Sequence, residues 1–474
     1  MPRSSATTPE VRSYAVLGVV GVGTLLSAMS GSAVNLALPD MGHDLRISIE
    51  LSRWVVQAFL LAVGVLLLVA GRLSDLLGHR RVYLVGFSLF GAAALGCGLA
   101  PSFGWLVVYR VLQGVGGAMV MSAAPALLTT SFPPEERGRA LGMLATATYT
   151  GLTIGPPLGG LIVAGLGWRW TFHLMVPISL VVFALGLLYL PRRPGRRAAL
   201  DWPGAAALLL GLPLLLLAIS EGPGWGVSSW RLWAVIAAGL ALLVGFVIIQ
   251  LKSESPLLDL ELFRSRVFTG ATISALANYV SLFVVLLLLP FFLVEGLGRS
   301  SAEAGMLLAI QPLVMAVVAS PSGWLSDRIG SRGLATFGML MLAGGLLACS
   351  FLGAQSGELE VAMSLALMGF GTGIFISPNS SALMGAAPGR RQGTAGSVLA
   401  EARVLGMLVG VALGTAVFQA VGGRTGAVWR PDDFAALSAA MRVGAGIALL
   451  GAVAASLRGA SGDSSGGRRS GISG

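Results

Sequence analysis

The chain has 474 residues, 55% of them hydrophobic and only 11% charged, with a mean hydropathy of +0.84. Water-soluble domains carry roughly 25% charged residues, so this chain cannot clothe itself for water and lipid must cover it. A net charge of +10 raises nucleic acid as a partner, but the basic residues form no patch interleaved with aromatics, and no nucleic-acid partner is expected.

Apolar stretches long enough to cross a hydrocarbon core, about 18–25 residues each, recur along the whole sequence. In chain order the predicted spans are 14–38, 51–70, 82–100, 104–126, 139–164, 171–190, 203–220, 231–250, 268–294, 303–322, 334–353, 360–386, 395–420 and 438–457. The expected fold is therefore an all-α polytopic membrane protein of fourteen helices. The first stretch is too long for the apolar region of a cleaved signal and is read as a retained helix. Residues 1–13 read as a cytoplasmic lead-in, and the Gly- and Ser-rich tail 458–474 as a disordered cytoplasmic end. Cys97 and Cys349 each sit inside an apolar stretch and imply neither a disulfide framework nor a metal site. His43, His79 and His173 are isolated near span ends, so no metal ligation is expected.

The basic residues orient the spans. With the N-terminus in the cytoplasm, the inner connections hold Arg72, Arg80, Arg81, Arg137, Arg139, Arg192, Arg193, Arg196, Arg197, Lys252, Arg264, Arg266, Arg328, Arg332, Arg390 and Arg391. With the termini these make 21 of the 31 Lys and Arg, against 10 in outer connections or within spans. That bias puts both termini in the cytoplasm of a cell (inner or plasma) membrane.

The chain repeats itself. GRLSDLLGHR from Gly71 returns as GWLSDRIGSR from Gly323, 252 residues later. At an offset of 255, Gly114, Gly116 and Gly138 match Gly369, Gly371 and Gly393, and Gly151, Gly155, Gly159 match Gly406, Gly410, Gly414. Two six-helix bundles in the same orientation, 14–200 and 267–457, separated by two inserted helices within 201–266, account for both offsets. Parallel repeats of this kind belong to transporters, with the substrate site between the halves.

Several residues carry chemistry. Gly71 and Gly78 suit a tight turn after the second span; Asp75 is placed to accept from a helix N-terminus, and Arg80 and Arg81 to anchor the cytoplasmic face. Gly323, Asp327, Arg328 and Gly330 are their counterparts in the second half. Arg110 lies in the fourth span, where an arginine either faces a cavity or a partner or snorkels to the nearby outer interface; Gln113, three residues on, shares its face and favours the former. The fifth span combines a glycine at every fourth place, Gly151, Gly155 and Gly159, with Pro156, Pro157 and Gly160; the glycines allow close packing and the prolines bend the helix. In the thirteenth span Glu401 and Arg403 are two residues apart and point to nearly opposite sides, so that helix should be enclosed on both. Arg403 lies on the Gly406, Gly410, Gly414 stripe; Glu401 is the leading proton-exchanging group, with Arg110 coupling it to the cavity, the alternative being a glutamate solvated near the cytoplasmic end. Asn35, Gln57, Asn278, Gln311 and Asn379 are span residues that either line the cavity or bridge helices.

Together these residues resemble the major facilitator superfamily, in particular its fourteen-helix drug:proton antiporter branch, over about residues 14–457. The resemblance rests on the GRLSDLLGHRR loop and its second copy, the Arg110-Val-Leu-Gln113-Gly114 element, GLTIGPPLGG (similar to the antiporter signature of exporters), Trp168-Arg169-Trp170 leading to Val176-Pro177, and Ala33-Val-Asn35-Leu-Ala-Leu38-Pro39. It implies alternating access, no cofactor beyond a proton gradient, and a monomer handling protons and an amphipathic small molecule among membrane lipids. The implied function is proton-coupled export of drugs or natural products. Two departures stand out: Ser30 occupies the place of an aspartate common in this branch, and Leu76 replaces a basic residue that Arg328 keeps in the second copy. A proton-coupled importer and a lipid or lipid-linked-precursor translocase are the rival readings. A membrane enzyme or receptor finds no supporting motif.

Overall fold

The computed structural model describes residues 9–133, 136–192, 194–195, 201–226, 228–253, 256–387, 392–423 and 429–458. Arg193, Arg196, Arg197, Arg390 and Arg391, the first eight residues and the tail beyond Arg458 lie outside them. Among the described residues the chain is helical, with no strand.

Fourteen helices are long and apolar enough to cross a membrane: α1 Pro9–Leu45, α2 Ile49–Leu77, α3 His79–Gly98, α4 Phe103–Ser131, α5 Arg137–Leu166, α6 Trp170–Tyr189, α7 Trp202–Trp225, α8 Trp230–Lys252, α9 Arg266–Gly296, α10 Ser301–Ile329, α11 Ser331–Cys349, α12 Glu358–Gly385, α13 Gln392–Ala420 and α14 Pro431–Leu457. They coincide with the predicted spans in number and order. Most of the helices overrun their apolar stretches, because a helix keeps its backbone bonds satisfied beyond the depth at which its side chains turn polar. Gly71 and Gly323, expected in turns, lie inside α2 and α10 for this reason. The turns themselves fall on Gly78 and Gly330, whose φ of 93° and 87° favour a residue without Cβ.

Connections alternate between two ends. The end at which α1 begins and α14 ends, with the α2–α3 connection, is here the terminal end; the other, with the α1–α2 connection, is the distal end. Helices α1–α6 pack on one another, as do α9–α14, with α1 against α5 and α9 against α13 among the most extensive pairings. Hydrocarbon supplies no drive for helices to associate, so close backbone approach does the holding. The glycine stripes make it possible in both halves alike. A Cβ on Gly159 would lie 2.9 Å from Ala33 Cα of α1, and one on Gly410 would lie 2.6 Å from the Val280 carbonyl of α9. Likewise a Cβ on Gly114 meets the Phe59 carbonyl at 2.6 Å, while Gly116 and Gly371 each come within 2.7 Å of a carbonyl, that of Gly86 and Gly338 respectively.

The stripe of Gly151, Gly155 and Gly159 thus faces α1 within its own bundle and does not line the interface between bundles. Gly160 does: it lies against Ser301 and Ala302 of α10, and Gly305 of α10 lies against the Pro156 carbonyl. The second interface runs between α2 and α13, where Val63 and Leu67 pack on Val404. At the distal end the bundles are tied by polar contacts as well, Ser301 Oγ donating to Asp40 at 3.2 Å and His43 standing 3.7 Å from Glu295.

The inserted helices are not equivalent. α7 docks on α13 and α2, whereas only 11% of the α8 span is buried. Asp201 holds the pair together at the terminal end: it caps α7 through Gly204 N at 2.9 Å and accepts from Gln250 Nε2 at 2.7 Å. Gln250 Oε1 in turn accepts from the amides of Leu257 and Leu258, fixing the stretch of chain that leads to α9.

Replacing Gly410 by Val should lower thermal stability by about 1–3 kcal/mol, since the packed Val280 backbone cannot yield. Gly142→Ala, with nothing within 4 Å of its Cβ position, should leave the melting temperature in detergent unchanged or slightly higher.

Candidate functional site

Arg110 is 1% exposed, so its guanidinium does not reach out to the interface. Nη1 donates to Gln113 Oε1 at 2.6 Å and Nε to the Val55 carbonyl of α2 at 2.7 Å. The cation lies 4.5 Å from the centroid of the Phe59 ring and 5.8 Å from that of Phe172. Two charge-assisted bonds and two ring faces are the compensation a desolvated guanidinium requires. The pair expected from the three-residue spacing is present, inside the first bundle.

On α13, Glu401 and Arg403 diverge as the helix geometry requires. Arg403 shares the glycine stripe and stands near Tyr279 of α9, beside the Gly406 contact with Tyr279. Glu401 is 7% exposed, and neither carboxyl oxygen has a hydrogen-bond partner among the described residues. The next turn, Val404 and Leu405, touches the Gly64 site of α2, which puts Glu401 on the side of the α2–α13 seam. α13 is enclosed on both sides.

The other polar span residues are all 7% exposed or less. Asn379 bridges helices: it donates to the Ala271 carbonyl of α9 at 2.9 Å and accepts from Arg458 Nη1 at 2.6 Å. Asn278 donates to Met339 Sδ at 3.4 Å and Gln57 to Ser220 Oγ of α7 at 3.4 Å. Asn35 Oδ1 and Gln311 Nε2 lack partners. Gln311 borders a void of about 10 Å³ in the second bundle, beside Leu365 and Met368. These two stand 255 residues after Arg110 and Gln113, so the void occupies the second-half counterpart of the Arg110 site.

At the terminal end Asp75, Arg81 and Asp327 are solvent-exposed. Side chains of Asp75, Arg81 and Asp327 join no other described residue by hydrogen bond or ion pair; Arg80 donates to the Leu187 carbonyl at 2.7 Å, and Arg328 lies 3.7 Å over the Trp324 ring. Ser74, not Asp75, makes the local bond across the turn, to His79 Nδ1 at 2.7 Å.

A family model described as Major Facilitator Superfamily matches the chain twice, over residues 20–271 and again over 271–469. The protein belongs to that superfamily. As a facilitator it is a transporter and not an enzyme, and its relatives support the drug-efflux branch. It is 31% identical to the riboflavin transporter RibZ of Clostridioides difficile over 85% of this chain and 87% of that one. To the multidrug resistance protein Stp of Mycobacterium tuberculosis it is 33% identical, over 83% and 73% respectively. To the tetracenomycin C resistance and export protein of Streptomyces glaucescens it is 32% identical, over 90% and 78%.

One polar cluster of this facilitator is not foreseen from its sequence. Arg53 of α2 is 2% exposed and donates to Glu221 of α7 at 2.6 Å and to Gln419 of α13 at 3.5 Å. A signal for it exists: Glu221 is an acid at the end of an otherwise apolar inserted helix.

The bundle asymmetry around Arg110 gives a direct test. Gln113→Met leaves the buried cation one acceptor short and should cost about 2–3 kcal/mol. The double change Arg110→Leu with Gln113→Met, copying Leu365 and Met368 of the second half, removes the charge as well. It should return thermal stability in detergent to within about 1 kcal/mol of the parent, while transport is lost.

Proposed function

We propose that this facilitator exports amphipathic small molecules in exchange for protons, its two bundles rocking so that a central site opens alternately at the distal and terminal ends. The reading is carried by Glu401. A carboxyl group enclosed at the seam between the bundles, with no cation and no hydrogen bond on either oxygen among the described residues, is balanced by a proton and by nothing else at hand. Movement of α2 against α13 changes its surroundings, which is what a coupling site requires. Arg110, fixed inside the first bundle by Gln113 and Val55, supplies the fixed positive charge that moves with one wall of the seam.

The positive-inside bias favours placing the terminal end in the cytoplasm of the cell membrane. The conformation described, with Gly160 against Ser301 and Asp40 bonded to Ser301, is then closed on the outer side. Asp75 and Asp327, exposed in this state, would engage when the terminal end closes. The names of the relatives, a tetracenomycin C exporter, a multidrug resistance protein and a riboflavin transporter, support small organic molecules as cargo. Ser30, 2% exposed where the branch commonly has an aspartate, favours neutral or anionic cargo over permanent cations.

Proteoliposomes holding a pH-sensitive dye, an imposed proton gradient and a panel of cationic, neutral and anionic amphiphiles test this. Substrate-dependent proton flux should appear in the parent, most strongly with uncharged compounds, and fall at least about tenfold in Glu401→Gln. Undiminished flux in that variant overturns the assignment of Glu401. Lipid-headgroup-dependent stimulation without flux for any compound would point to the translocase instead.

A further inference from the structure

Where α2, α7 and α13 meet at the distal end, each contributes a polar side chain. Arg53 stands in the first turns of α2, Glu221 in the last turns of α7, and Gln419 at the last turn of α13. The Arg53 guanidinium donates to Glu221 Oε1 at 2.6 Å and, more weakly, to Gln419 Oε1 at 3.5 Å. One turn deeper, Gln57 donates to Ser220 Oγ at 3.4 Å, so α2 grips α7 at two successive levels. The three helices belong to three parts of the molecule: the first bundle, the inserted pair and the second bundle.

The two partners of the ion pair differ in their access to water. Arg53 is 2% exposed and Glu221 36% exposed. The carboxylate borders a cavity of about 300 Å³ lined also by Leu51, Arg53, Ser220, Pro223, Gly224 and Gln419. Breaking the pair costs little for Glu221, which is already partly hydrated, and more for Arg53, which is 2% exposed although it borders the same cavity and is left with the long bond to Gln419. Such a pair holds while the seam is closed and releases once opening lets water reach the guanidinium.

We infer that the inserted helix α7 is a latch on the distal end of the seam, with Glu221 and Arg53 as the positioning residues that hold α2 and α13 together there. The inference rests on the rocking of the two bundles proposed above. It explains why the pair is inserted where it is. α8 faces lipid, Asp201 and Gln250 fix α7 to it, and α7 brings a carboxylate to a place neither bundle supplies. Glu221 touches the seam about a helix length away from the Asp201 cap, so the inserted pair spans the whole depth of the closure it controls.

Spin labels at Leu99→Cys and Phe351→Cys read the distal opening. Both positions are exposed, at 65% and 81%, and end α3 and α11 in opposite bundles; Cys97 and Cys349 are first replaced by Ala. Inter-label distances are measured by double electron–electron resonance on the full chain in nanodiscs. Glu221→Gln and Arg53→Gln should each raise the ratio of long- to short-distance populations about three- to tenfold. The double variant should go no further than the larger single effect. Gly160→Trp, which drives a ring against Ser301 of α10, serves as a wedge that opens the distal end independently. If Glu221→Gln leaves the distribution parental while Arg53→Gln shifts it, α7 is no latch and Arg53 acts through Gln419. If the wedge opens the distal end and neither single variant does, the latch is overturned and rocking stands. If the wedge also leaves the distances unmoved in a monodisperse, fully helical sample, rocking itself fails.

Discussion

Lipid tails are as apolar as leucine, so nothing expels these helices from their solvent, and the molecule depends on backbones coming close enough for dispersion and carbonyl contacts to count. The glycines set that distance. Because Gly159 sits on Ala33 and Gly410 on the Val280 carbonyl, α5 and α13 are drawn tightly into their own bundles. That leaves their opposite faces to form the seams with α10 and α2. Enclosure of Glu401 is a by-product of this geometry: a helix held on one side by its stripe and covered on the other has no lipid-facing place for a charge.

The two halves share a scaffold and diverge in what fills it. The contacts of Gly86 with Gly116 and of Gly338 with Gly371 are the same contact made twice. Around them, Arg110 and Gln113 of the first half stand where Leu365 and Met368 stand in the second, and Phe59, under the guanidinium, corresponds to Gln311. The second bundle thus keeps a small void and an unpartnered amide where the first holds a cation. A scaffold fixed by glycine contacts tolerates this exchange, since Gly114 and Gly369 meet the backbones of Phe59 and Gln311 and not their side chains.

Much of the architecture was legible in the sequence because a bilayer imposes a length on every span and a repeat imposes a register on the halves. The Arg110–Gln113 bond followed from three-residue spacing on one face, and the divergence of Glu401 and Arg403 from a two-residue spacing. What was not legible depended on contacts between distant segments. That the Gly151 stripe faces α1 while Gly160 faces α10 cannot be read from a pattern in which all four glycines look alike. Gly71 and Gly323 read as turn residues from composition, yet a helix continues through glycine when nothing stops it, and it stops about two turns later at a positive φ. Asn379 could have lined a cavity or bridged helices, and only the position of Arg458 decides between the two. The Arg53 cluster needs three segments brought together from residues 53, 221 and 419, a separation at which spacing carries no information.

Arg458, the residue after α14, is 2% exposed and holds both Asn379 and the Ser331 carbonyl, the latter at 2.7 Å. The last helix is therefore plugged from below by the first residue of what would otherwise be counted as its tail. Anyone attaching a fluorescent reporter or purification handle to this end would have to begin the fusion beyond residue 458: a junction placed at the apparent end of the apolar segment would cut away a structural part and leave Asn379 facing an unfilled hole.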